Sequence, residues 1–142
     1  MSAIEESVDI HADTQRLYEM LTEFEQYPHI IPGLTEVRKT GETLMHWVSD
    51  MEGHRHEWDA QVVEMDPEKI IAFQSLHQDP PVRCTIMFQP VGEGTRITLR
   101  VENDPGEEPE VRTYLARSLS RLKEIAEQGP PTRWPTEPMG IA

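Results

Sequence analysis

From Leu34 to Glu102 apolar and polar residues alternate in six short runs: LTEVRKT, ETLMHWVSDM, HRHEWDAQVVEM, KIIAFQSL, VRCTIMFQP and TRITLRVEN. A period of two puts alternate side chains on opposite faces, so each run predicts a half-buried β-strand. The breaks between runs carry turn chemistry: Gly41, Glu52-Gly53, Asp66-Pro67, Asp79-Pro80-Pro81 and Gly92-Glu93-Gly94. Strands joined by loops this short predict an antiparallel meander.

The turns predict register as well as topology. A two-residue turn at Glu52-Gly53 sets Met51 against His54, Trp47 against Trp58 and Met45 against Ala60. On the other face it sets Asp50 against Arg55 and His46 against Asp59. One face is then apolar and the other pairs opposite charges. The turn at Asp66-Pro67 places Val62 opposite Phe73 and Ala60 opposite Ser75. The turn at Gly92 places Phe88 opposite Ile97, Ile86 opposite Leu99 and Cys84 opposite Val101. The three hairpins share one inner face.

The flanking segments change period. SVDI alternates, with Ile4, Glu6, Val8 and Ile10 on one side, and predicts a first strand. Asp13 stands as N-cap before TQRLYEML, whose Leu17, Tyr18 and Leu21 have helical spacing. TEFE reads as a capping box with Thr22 and Glu25, opening a second short helix that Pro28 and IPG at 31–33 stop. After NDPGEE, Pro109 fits the first turn of a long helix, and Glu107, Glu108 and Glu110 suit its dipole. Val111, Leu115, Ser118, Leu119, Leu122, Ile125 and Ala126 make one stripe, with Tyr114 beside it. Gly129 and Pro130-Pro131 predict its end. The last thirteen residues hold four prolines without periodicity and read as an extended tail. The expectation is an α+β fold: a curved antiparallel sheet of about seven strands wrapped around a long C-terminal helix, with two short helices after the first strand. Residues 1–129 form one domain, followed by the proline-rich tail 130–142. Space between the helix and so twisted a sheet is either filled by side chains or left as a cavity.

Composition narrows the partners. The chain has 142 residues, enough for one domain without a disulfide, and Cys84 is its only cysteine. Its formal charge is −13, with 26 acidic against 13 basic residues, and no basic stripe or polybasic run. That argues against nucleic acid and anionic lipid surfaces as partners. No run approaches the length of a membrane span and no leader pattern opens the chain, so a cytoplasmic protein without membrane insertion is expected. No glycine-rich phosphate loop is present, and no cofactor is expected.

SVDIHADTQRLYEMLTEFEQYPHIIPGLTEV, HWVSDMEGHRHEWDAQVVEMDPEKIIAFQS, GTRITLRVE and VRTYLARSLSRLKEI together resemble the polyketide cyclase/dehydrase branch of the START-like (SRPBCC) superfamily, over about residues 3–128. The resemblance implies the helix-grip fold and a cavity between sheet and terminal helix for an apolar, aromatic or polyketide-like molecule, a lipid or a quinone. In cyclase members that cavity orients a poly-β-keto chain for aldol closure and dehydration, without a cofactor. The sequence departs from the tryptophan-arginine pairing of the best-known aromatase/cyclases: Glu57 precedes Trp58, and Arg55 is expected to point outward. The loop before the last helix is also short.

The candidate wall residues are Trp47, Trp58, Phe73, Phe88, Leu99 and Leu119, with Tyr18 and Ser75 able to bond a ligand. Trp47 and Trp58 equally suit a packed core. His56, opposite Ser49, is the better acid/base candidate of two histidines, with Tyr114 and Ser49 as polar participants; a structural histidine fits the same pattern. His54 and His56 have a spacing that one metal could bridge, with Glu64 as a further inner-face ligand, yet no convincing third ligand stands nearby, and no metal is expected. Cys84 reads as a small hydrophobe. Trp134 in the tail suits packing on the domain, capping of the pocket or a homodimer contact.

Overall fold

The computed structural model describes residues 3–51, 53–128 and 134, with the side chain of Met51 excluded. Among them the chain runs β1 (Ala3–Ile10), α1 (Thr14–Leu21), a 3-10 helix (Phe24–His29), β2 (Leu34–Lys39), β3 (Leu44–Met51), β4 (His54–Asp66), β5 (Ile70–Ser75), β6 (Arg83–Val91), β7 (Gly94–Glu102) and α2 (Glu108–Glu127). The strands form one antiparallel sheet in the order β1-β7-β6-β5-β4-β3-β2, and α2 packs against β1. This is the helix-grip α+β architecture.

The expected registers are present. Trp47 faces Trp58, Met45 faces Ala60 and His46 faces Asp59. Val62 faces Phe73 and Ala60 faces Ser75. Phe88, Ile86 and Cys84 face Ile97, Leu99 and Val101. Gly53 closes the β3–β4 turn at φ +79°, a left-handed conformation that glycine takes without steric cost. A side chain on Gly94 would put its Cβ 2.4 Å from the Ile10 carbonyl oxygen, so glycine lets the β7 start lie against the end of β1.

Two local expectations are corrected. The segment after α1 is a 3-10 helix, and its N-cap Glu23 makes no side-chain capping bond. Thr22 is taken up by the preceding helix, where its hydroxyl donates to the Glu19 carbonyl at 2.7 Å and its N–H closes the last turn. The capping box therefore never assembles. Pro28 sits inside the 3-10 helix instead of stopping it. The second correction is a register shift between Val62 and Glu64 that leaves Val63 as an extra, exposed residue. Such a bulge re-aims the strand, and Glu64 is exposed 3.6 Å from the Arg83 guanidinium instead of facing inward.

In α1, the Asp13 carboxylate accepts from the Arg16 N–H, the expected cap. On α2, Leu115, Ser118, Leu119, Leu122, Ile125 and Ala126 are buried, and Pro109 lies in the first turn. Val111, at the near end of that stripe, is half-buried. The helix ends at Glu127, and Gly129 and the tail lie outside the described residues apart from Trp134. No described helix is long and apolar enough to cross a membrane.

Candidate functional site

The concave face of the sheet, α2 and the segment around the 3-10 helix leave a cavity of about 680 Å³. Its inner end is closed by Leu21, Tyr27, Ile30, Ile31 and Leu34, and its aromatic wall is Trp47, Trp58 and Phe73. Ala60, Ile86, Leu99 and Val101 continue the sheet side, and Val111, Leu115, Leu119 and Leu122 form the helix side. Small pockets of 300–1,000 Å³ with apolar walls and few polar groups are the usual form of organic-ligand sites.

The aromatic wall follows from register. Trp47 and Trp58 share a cross-strand position on adjacent strands, and their rings stack at 5.8 Å between centroids with 30° between planes. Phe73, one strand further, lies 5.4 Å from Trp47. Tyr27 meets the Trp47 ring edge-on, 84° between planes, and donates its hydroxyl to the Leu21 carbonyl at 2.6 Å. Full burial pushes the Tyr27 phenol well above its ordinary pKa. The Trp47 ring is buried, and its Nε1–H has no acceptor among the described residues.

A few polar groups interrupt the apolar lining. The Ser75 hydroxyl oxygen accepts the Val82 N–H at 2.9 Å, which leaves its own proton available. Ser118 donates to the Tyr114 carbonyl one turn back, at 3.0 Å. The Tyr114 hydroxyl donates to the Pro32 carbonyl, tying α2 to the segment before β2. Burial pushes the Tyr114 pKa up to about 12, so the phenol keeps its proton at neutral pH. Cys84 lines the wall with its thiol raised to about 12 by burial, which makes it inert as a thiolate nucleophile near neutrality.

The residues that both line the cavity and stand exposed are His56, Glu57, Gln78, Gly106 and Glu110, and half-buried Asp104 lies beside them. They mark its mouth. Glu57 is engaged by Arg55 at 2.9 Å and by the His46 ring at 2.8 Å. Arg55 is exposed, on the outward side as expected. The Gly106 N–H donates to Asp104 at 2.7 Å.

Of the expected site residues, the cavity brings together Trp47, Trp58, Phe73, Leu99, Leu119, Ser75, His56 and Tyr114. Three lie elsewhere. Tyr18 and Phe88 pack edge-on with each other at 5.4 Å in the core beneath α1, and neither lines the cavity. Ser49 is buried opposite His56 but does not contribute to the wall. Phe88 was expected on the wall because it shares the inner face of β6; α1 covers that end of the sheet. Sequence reading missed Tyr27, Ile30 and Ile31, since a six-residue 3-10 helix is too short to announce a face. It also missed Gln78, Asp104 and Glu110, whose loop and helix-end positions follow only from the closed fold. His54 and His56 are both exposed with centroids 6.5 Å apart, and no metal-ligating group of three His, Cys, Asp or Glu exists among the described residues. Trp134 packs on the domain: it stacks over His29 at 6.0 Å and donates to Glu23 at 3.1 Å.

Comparison with known proteins places this geometry. A Deinococcus radiodurans protein of known structure superposes with a TM-score of 0.73 at 20% identity, covering 89% of this chain and 98% of that one. The di-domain ARO/CYC BexL of the BE-7585A biosynthetic pathway superposes at 0.71 with 22% identity, over 91% of this chain and 48% of BexL. A START superfamily protein from Mycobacterium smegmatis gives 0.68 at 14% identity, over 86% of this chain and 92% of that one. In sequence, an uncharacterised 17.2 kDa protein from the melC2-rnhH intergenic region of Streptomyces lincolnensis is 24% identical over 137 residues, 90% of this chain and 91% of its own length. The family model for polyketide cyclase/dehydrase and lipid transport matches residues 1–127, and the chain belongs to that family.

Proposed function

We propose that the protein binds an apolar, ring-bearing small molecule in the cavity between sheet and α2. The observation that carries this reading is the stacked Trp47–Trp58 pair, continued by Phe73, forming one wall of a 680 Å³ space. Flat rigid aromatic walls bind ring systems at little entropic cost, because their side chains have few rotamers to lose.

The test is a titration of tryptophan emission with flat polyketides, quinones and fatty acids, in a Trp134→Phe background that removes the tail fluorophore. Saturable quenching by one chemical class, abolished by Trp58→Ala in a folded protein, is the expected result. No response to any class overturns the reading.

A second reading, cyclisation and dehydration of a poly-β-ketone, draws support from the family and the likeness to BexL. His56 at the mouth would move a proton, and the wall would hold the chain for closure. Tyr114, whose one proton is donated to the Pro32 carbonyl, would accept from a substrate hydroxyl without acting as a base. Unchanged product distribution from a poly-β-ketone incubated with the protein removes this reading and leaves binding intact.

A further inference from the structure

Behind the aromatic wall of the cavity lies a second, smaller space. It is a pit of about 140 Å³ floored by buried Phe24 and Met45 and half-buried Val62, and it opens to solvent beside Met65, Lys39 and Thr43. Met45 and Ala60 are direct cross-strand partners, as are Val62 and Phe73; in each pair one residue lines the pit and the other lines the cavity. The two spaces therefore adjoin on the same face of the sheet. The partition is a packed triad of rings: Phe24 lies 5.3 Å from Tyr27 and 6.0 Å from Phe73, which are themselves 6.3 Å apart. Tyr27 and Phe73 face the cavity and Phe24 faces the pit. Tyr27 is anchored by its hydroxyl bond to Leu21, whereas Phe24 is held by packing alone.

The bulge at Val63 makes the pit apolar. Simple alternation from Ala60 and Val62 would turn Glu64 inward; the extra residue turns Met65 to that side instead, opposite buried Ile71. Among the described residues the exposed large apolar side chains are Leu44, Val63 and Met65, and all three lie on the ends of β3 and β4 that bound this pit. A dry cavity of about 150 Å³ holds one benzene, so the pit has room for about six carbons.

We propose that the pit is the far end of the ligand site. The ligand is a ring system bearing an apolar side arm of about six carbons, and the arm displaces the Phe24 ring to enter the pit while the rings lie against Trp47 and Trp58. This assignment deepens the binding reading above and rests on it.

Two probes test it, 2-ethylanthraquinone and 2-hexylanthraquinone, titrated by tryptophan quenching in the Trp134→Phe background. Burial of four further methylenes is expected to make the hexyl probe bind at least about tenfold more tightly. Met65→Glu sets a charge at the pit and is expected to cut the hexyl-to-ethyl affinity ratio about fivefold. Phe24→Leu thins the partition and is expected to raise that ratio about threefold, because less of the binding energy goes into opening it. Carbon-13 labelling of the methionine methyls locates the arm with no substitution at the site. Met45 and Met65 line the pit, and no described methionine lines the cavity. The hexyl probe is expected to move both methyl resonances further than the ethyl probe does.

A hexyl probe that binds no more tightly than the ethyl one overturns the pit as part of the site. So does a ratio that Met65→Glu leaves unaltered, or a Met65 methyl that responds alike to both probes. A ratio that Phe24→Leu leaves unaltered or lowers overturns Phe24 as the door. Binding of the ethyl probe in those cases leaves the binding reading standing. Failure of both probes to bind removes that reading and this inference together.

Discussion

At the scale of single residues, His46 is the most consequential group outside the cavity. Its Nδ1 lies 2.9 Å from an Asp59 oxygen and its Nε2 lies 2.8 Å from a Glu57 oxygen. Both nitrogens can donate only when the ring is protonated, and the bond to Asp59, then that to Glu57, holds its pKa above the ordinary value. A raised folded-state pKa gives stability that is complete below the unfolded value of about 6.5 and is lost as pH rises through the folded value. Denaturation midpoints of wild type and His46→Gln should therefore differ most at about pH 6 and converge at alkaline pH. A difference that grows with pH contradicts this assignment. Burial sends Tyr27 and Tyr114 the opposite way in chemical consequence: both phenols keep their protons across the neutral range and act as fixed donors to carbonyls.

At the scale of elements, the hairpins were legible because each has one apolar and one charged face, so that a slip of one residue exposes Trp47 and Trp58 while burying His46 and Asp59. The bulge at Val63 was not legible. Val62 and Val63 are both apolar, and two adjacent valines satisfy either register equally. The 3-10 helix was misread for a related reason: Thr22 has two possible bonding partners, and sequence does not say whether the helix before it or after it takes the hydroxyl. A long-range bond of the same kind joins elements here. Thr95 at the start of β7 donates to the Ala12 carbonyl at 2.9 Å and meets the Thr14 hydroxyl at 2.7 Å, all buried. Thr95→Val keeps the shape, strands both partners and is expected to cost about 1–3 kcal/mol in chemical denaturation. A neutral result would mean that water replaces the lost hydroxyl.

At the scale of the molecule, the α2 stripe and the inner face of the sheet foretold which surfaces meet, since both were written in periodic sequence. The volume left between them was not, because it depends on the Tyr27–Ile31 segment, which has no period to read. The surface carries the −13 charge in the open. Like charges spread over a small body repel, so raising salt from about 0.01 to 0.2 M should raise the melting midpoint; a fall would show that its ion pairs outweigh the repulsion. The β1 margin of the sheet is covered from α2. Along β1, Arg112 donates to the Glu5 carbonyl at 3.0 Å and Lys123 to the Asp9 carbonyl at 2.8 Å, while the His11 N–H just beyond the strand donates to Glu127 at 2.7 Å. Those bonds from α2 occupy backbone groups at which an incoming strand would have to pair. Growth of the sheet by a foreign strand, whether from a second copy or in aggregation, is thereby opposed along β1, and the long helix that closes the cavity also serves as a selvedge.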